Sequence, residues 1–151
     1  MKKIKLVLAA VIFAGLALTS CSSSDDGGGT SASIVGKWTP TKTIIKINGQ
    51  TAFDEAYADN EAGCDKDYLE FTAAGALNDV VYFHNVDNAC EADAATPGTY
   101  TKTGNSVTVS GTADYDDTYT IAKLTTSELR VTTTTTAQGL TQVTTIYFTK
   151  V

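Results

Sequence analysis

The chain is short of the residues that carry chemistry. Among 151 residues there is one histidine, His84, one arginine, Arg130, and one tryptophan, Trp38. No Ser-His-Asp order, phosphate-cradling glycine loop, nucleotide fingerprint or zinc-ligand spacing is present, so catalysis and a metal or organic cofactor are not expected. Basic charge is scarce as well. The net charge of −6 argues against nucleic acid and against docking on anionic lipid headgroups. No apolar run approaches the about 20 residues that a spanning helix needs. Helical periodicity is nearly missing too, the one short candidate being Phe53 to Ala62, with apolar Phe53, Ala56 and Tyr57 among acids.

What is present begins at the N-terminus. Lys2, Lys3 and Lys5 precede an uncharged run from Leu6 to Leu18, and Leu18-Thr19-Ser20-Cys21 ends it with small residues before a cysteine. This resembles the lipobox of bacterial lipoproteins. The resemblance implies removal of residues 1–20 as a signal peptide and acylation of Cys21, with palmitate-type chains holding the protein to a membrane. Residues 21–33, rich in Ser, Asp and Gly, then read as a flexible tether. Asp25-Asp26 resembles acidic signals that route lipoproteins to the outer membrane, facing the periplasm or the cell surface; a soluble linker is the bland alternative. Cleavage removes three lysines and no acid, so the net charge moves from −6 to −9.

Two further cysteines, Cys64 and Cys90, remain in a chain expected to be secreted, which points to a disulfide. The alternatives are two free thiols or two metal ligands, and one histidine makes a poor zinc set. From Ile34 to Val151 the sequence is a series of short runs rich in Val, Ile, Thr, Tyr and Phe, bounded by Gly, Asn and Asp. Eight strands are predicted, at residues 38–47, 68–72, 79–85, 98–102, 106–110, 119–124, 129–136 and 142–149. Short connections make neighbours antiparallel, and eight such strands close most simply into an up-and-down barrel, with a β-sandwich as the alternative.

Gly36-Lys37-Trp38 opens the first strand and resembles the Gly-x-Trp signature of lipocalins. With the ordered series Cys64 to Phe71, Gly75, Cys90, Gly98-Thr99-Tyr100 and Tyr147 to Lys150, residues 34–151 resemble the lipocalin-like domain of small bacterial lipoproteins. The resemblance implies an eight-stranded barrel. Trp38 reads as a plug at the closed end. In lipocalins a basic side chain covers that indole. Arg130 does not suit the role, because Leu129 and Val131 claim the inward face on either side of it.

Alternation places Leu69, Phe71, Tyr82, Tyr100, Val107, Val109, Tyr119, Ile121, Ile146 and Phe148 inside. Of these, Phe71, Tyr82, Tyr100, Tyr119 and Phe148 are the candidate contacts for a small apolar ligand. The competing expectation is a packed barrel without a cavity, serving as an envelope scaffold or protein-interaction module. His84 reads as a strand-end residue with local hydrogen bonds, and Asp114-Tyr115-Asp116-Asp117 as a solvated turn.

Overall fold

The computed structural model describes residues 32–94, 97–112 and 114–151. The expected signal peptide, Cys21 and most of the tether fall in residues 1–31, outside the described residues. Ten strands follow one another: β1 (Gly36–Ile47), β2 (Gln50–Ala56), β3 (Tyr68–Phe71), β4 (Ala76–His84), β5 (Cys90–Ala94), β6 (Gly98–Thr103), β7 (Ser106–Ser110), β8 (Asp117–Leu124), β9 (Glu128–Ala137) and β10 (Leu140–Lys150). Among the described residues no helix occurs. Every pairing is antiparallel, and β10 returns to β1 along Trp38–Ile47 to close the sheet.

The eight predicted strands correspond to β1, β3, β4 and β6 to β10. The two extra strands lengthen the wall without adding positions to it. β2 and β3 lie end to end on one edge of β1, against Lys42–Ile47 and Gly36–Trp38. β5 and β6 likewise share one edge of β4, with registers that differ by one residue. The architecture is therefore a closed eight-stranded antiparallel barrel in which residues 57–67 interrupt the second wall strand.

The helix considered over Phe53 to Ala62 is not formed; its first residues belong to β2. Asn48 and Gly49 both take positive φ, 49° and 82°, which makes a two-residue hairpin turn of the twist that paired strands need. The chain is thereby turned back onto β1, and the ladder continues as far as the Tyr57 amide, which donates to the Thr41 carbonyl at 2.9 Å. Backbone pairing prevails over a weak helical pattern in residues that are exposed along their whole length.

A bulge in β1 sets which side chains enter the barrel. Pro40 pairs with Phe148 but Lys42 pairs with Tyr147, so one residue, Thr41, is skipped. The skip shifts the alternation and sends Thr43, Ile45 and Ile47 inward while Lys42 and Lys46 point out. Without it, two ammonium groups would face the lumen. Lys42 instead bonds Asp54 of β2 at 2.6 Å on the outside.

The core is one cluster running from Ile34, Trp38 and Phe148 at the closed end through Leu69, Phe71, Leu77, Val107 and Leu129 to Tyr119, Ile121 and Val131. Trp38 is fully buried, and its indole N–H donates to the Ile34 carbonyl at 2.6 Å. The segment preceding β1 thus folds beneath the barrel as a floor.

Candidate functional site

Two places in the barrel combine exposure with unusual chemistry: its open end and a corner outside the wall. The interior between them is nearly solid. A void of about 20 Å³ lies within it, lined by Leu69, Phe71, Leu77, Tyr119 and Phe148 among others. That is room for about one water molecule, and the lining is apolar. Phe71 meets Tyr100 edge-on with ring centroids 4.9 Å apart, and the Tyr100 hydroxyl donates to the Thr72 carbonyl at 2.8 Å. Phe71, Tyr100, Tyr119 and Phe148 therefore face inward as expected, where they fill the barrel.

Tyr82 does not join them. Leu77 fixes the inward phase of β4, so Asp79, Val81 and Phe83 follow it inward while Val80, Tyr82 and His84 face out. Tyr82 stands with Tyr68, ring centroids 6.4 Å apart, over a surface cleft that Lys37 and Lys66 also line.

At the open end the inward face passes above the core and into solvent. Ile47, Phe53, Val81 and Phe83 are each 38–40% exposed there and Leu140 is 53% exposed. A basin of about 290 Å³ lies against the inner face of β1, β9 and β10, lined by Ile47, Thr135, Ala137, Gln138, Leu140 and Gln142. Asp79 and Tyr115 occupy the boundary between this mouth and the core. Burial, then the nearby charges of Asp114 and Asp67, push the Asp79 carboxyl above its usual range. Burial also raises the Tyr115 phenol, and Tyr119 beneath it is pushed up to about 12.

The wall is incomplete beside the mouth. β3 leaves β4 at Tyr68, and the carboxylate of Asp67 takes over where the ladder stops. It accepts from the Tyr82 amide at 2.8 Å and from the Tyr57 hydroxyl at 2.8 Å, while its own amide donates to Asn60 at 3.0 Å. Asp67 is 2% exposed, so one carboxylate serves in place of strand pairing.

The other end of the loop is fixed covalently. Cys64 and Cys90 form a disulfide, joining residues 57–67 to β5. His84, opposite Cys90 in the β4–β5 ladder, places Nε2 at 3.7 Å from both sulfurs. Its Nδ1 lies 3.2 Å from the Glu61 carboxylate. His84 ends β4 as the sequence suggests, but its partners are not local: the disulfide and Glu61 lie against it, Cys64 and Glu61 coming from the distant loop. The sulfur and nitrogen atoms of Cys64, His84 and Cys90 lie within 4.8 Å of one another. Spacing along the chain hid this cluster, because it needs the loop, β4 and β5 together.

At the closed end the basic cover over the indole is Lys150. Its Nζ sits 4.3 Å from the Trp38 ring centroid and donates to the Val35 carbonyl at 2.7 Å. Gly36, at φ 126°, leaves it room: a Cβ there would stand 2.7 Å from that nitrogen. Arg130 points outward as alternation required, stacks on Tyr147 at 4.5 Å and pairs with Glu128 at 2.8 Å. The lipocalin-like domain family matches residues 34–131 of this chain.

The chain belongs to the lipocalin-like family. Gly36 and Trp38 lie within the matched residues, and each has a physical reason: the indole closes the floor, and the missing Cβ admits the lysine above it. No curated protein matches the chain. In this lipocalin-like barrel the Asp114 to Asp117 turn is organised by Asp116. That carboxylate accepts from the Gly111 and Thr112 amides at 2.9 and 2.7 Å, and these bonds hold it below the usual range.

Proposed function

We propose that this is a lipid-anchored cell-envelope protein whose barrel binds a small apolar or amphipathic molecule at its open end. The observation that carries the reading is the mouth itself. Five large apolar side chains project from the inward face above a filled core, with a basin of about 290 Å³ beside them. Small-molecule sites are concave and mostly apolar with a few polar groups, and Thr135, Gln138 and Gln142 supply those groups here. The filled interior moves the expected cargo from a deep chamber to this shallow seat. Binding, rather than catalysis, is the role the arrangement favours.

Native mass spectrometry of the chain purified from its own host tests the reading by looking for a co-purifying small molecule. A second arm titrates a fluorescent fatty-acid analogue into wild type and into Ile47→Lys and Leu140→Lys. Loss of binding in both variants with an unchanged melting temperature supports the mouth. No co-purifying molecule, together with probe binding that both variants leave intact, sinks it.

A specific observation favours a second reading, an interaction module that presents its loops to another envelope protein. The interior void of about 20 Å³ is what a barrel built as a scaffold would have. Crosslinking on intact cells that captures one partner through the mouth loops, with no small molecule found, would select it.

The anchor rests on Lys2 to Cys21 alone. Metabolic labelling with an alkyne palmitate analogue should mark the wild-type chain and not Cys21→Ser. Protease shaving of intact cells then separates surface display from a periplasmic face.

A further inference from the structure

The corner formed by Cys64, His84, Cys90 and Glu61 has more order than a disulfide needs. A disulfide requires two sulfurs, yet here one imidazole nitrogen is equidistant from both, at 3.7 Å. The other ring nitrogen is held at 3.2 Å by a carboxylate. We propose that this corner is a redox-gated metal site, in which the reduced Cys64 and Cys90 thiolates and His84 Nε2 bind a zinc-like divalent cation.

The geometry is close to what such an ion asks for. Tetrahedral zinc, with its usual bonds to sulfur and imidazole nitrogen, sets sulfur–nitrogen distances of about 3.6 Å and a sulfur–sulfur distance of about 3.8 Å. Both sulfur–nitrogen distances are already met to within a few tenths of an ångström. Only the two sulfurs have to part, which side-chain rotation allows for cysteines whose Cα atoms are 5.5 Å apart. Glu61 is the positioning residue. A carboxylate on Nδ1 fixes the tautomer that leaves Nε2 free as a ligand, and it is the usual partner of a metal-bound histidine. The site is open to solvent: Cys90 is exposed and Cys64 and His84 are half-buried, so a reductant and an ion can reach it and water can complete the coordination.

The chemistry balances with one reductant class. A dithiol gives two electrons and two protons to the Cys64–Cys90 bond, becoming a cyclic disulfide while two thiols form. Each thiol then releases its proton to solvent as the cation binds. Disulfide and metal are thus alternative ties for the same corner, one for oxidising and one for reducing surroundings. In both states residues 57–67 stay fastened to β5.

The test uses the full chain in detergent, reduced anaerobically with a phosphine that is then removed, and titrated with Co²⁺ followed by Zn²⁺. One Co²⁺ per chain should bind with thiolate-to-cobalt absorption, and Zn²⁺ should displace it. The untreated disulfide form should show no such band. Zn²⁺ should also raise the melting temperature of the reduced chain and leave that of the oxidised chain alone. His84→Gln should weaken binding at least tenfold and Glu61→Gln about tenfold, as outer-shell partners of metal ligands do. Neither variant should move the melting temperature of the oxidised chain, which a purely structural role would. A reduced chain with no cobalt absorption overturns the proposal. So does a band that His84→Gln leaves unchanged, or a loss of fold on reduction that Zn²⁺ does not reverse.

Discussion

Trp38 and Lys150 illustrate how single residues define the floor of the barrel. The indole is fully buried, its N–H is spent on Ile34, and an ammonium group lies over its face. A cation over an indole contributes roughly 0.5–2 kcal/mol, depending on how far it is desolvated. Lys150→Met should therefore cost about 1 kcal/mol in denaturant unfolding followed by the fluorescence of the sole tryptophan. Lys46→Met, on an exposed lysine with no partner of this kind, should cost next to nothing. Asp79 behaves in the opposite sense. Its folded carboxyl is raised above the unfolded value, so the folded state holds the proton more tightly and stability falls as pH rises through that interval. Asp79→Asn should raise the melting temperature at pH 7 and leave it nearly unchanged at pH 3, and a melting-temperature series against pH reads this directly. No gain at pH 7 would mean that the carboxylate is solvated in the folded protein.

At the scale of elements, the Cys64–Cys90 tie and the Asp67 carboxylate hold the loop that interrupts the wall. On the chain-entropy view, a cross-link between residues 26 apart stabilises the fold by about 3.5 kcal/mol. Cys64→Ser with Cys90→Ser should lose about that much in equilibrium unfolding, with amide exchange rising first at Tyr82 and along β5. Asp67→Ala leaves the Tyr82 amide and the Tyr57 hydroxyl without their acceptor, which should cost about 2–4 kcal/mol by the same measurement. These elements also mark where reading the sequence stops working. β1, β3, β4 and β6 to β10 were legible because their own side chains alternate or cluster as strands do. β2 and β5 were not, because Gln50 to Ala56 and Cys90 to Ala94 lack β-branched alternation and take their shape from the partner strand. Tyr82 faces out for a related reason. The phase of β4 is set by Leu77, two residues before the predicted start of that strand. The Cys64–His84–Cys90 corner and the Lys150 cover were illegible because each depends on residues that only closure of the barrel brings together.

At the scale of the whole molecule, the decisive quantity is volume. An eight-stranded barrel has an interior that side chains can just fill, and here they do, leaving about 20 Å³. Aromatic rings from β3, β6, β8 and β10 share that filling with Leu, Val and Ile side chains, so the inward aromatics in the sequence were a readable sign of it. Phe71→Ala should open a dry cavity beside the existing void at a cost of about 3–5 kcal/mol. Such a variant should bind xenon or benzene in its core where the wild type does not, as crystals under xenon pressure or benzene-induced shifts in melting temperature would show. Failure to bind would mean that the wall collapses inward to fill the space.

The position of the floor has one more consequence. Ile34, where the chain enters the fold, and Val151, where it ends, both lie at the Trp38 end, with the Val151 amide bonded to the Lys37 carbonyl at 3.1 Å. Anything that restrains the chain upstream of Ser33 therefore grips the molecule by its base, like a cup held by its foot. The hairpin tips at Asn48, Asn88 and Gln138 then form the distal edge, the first part of the molecule that an approaching solute or neighbour meets.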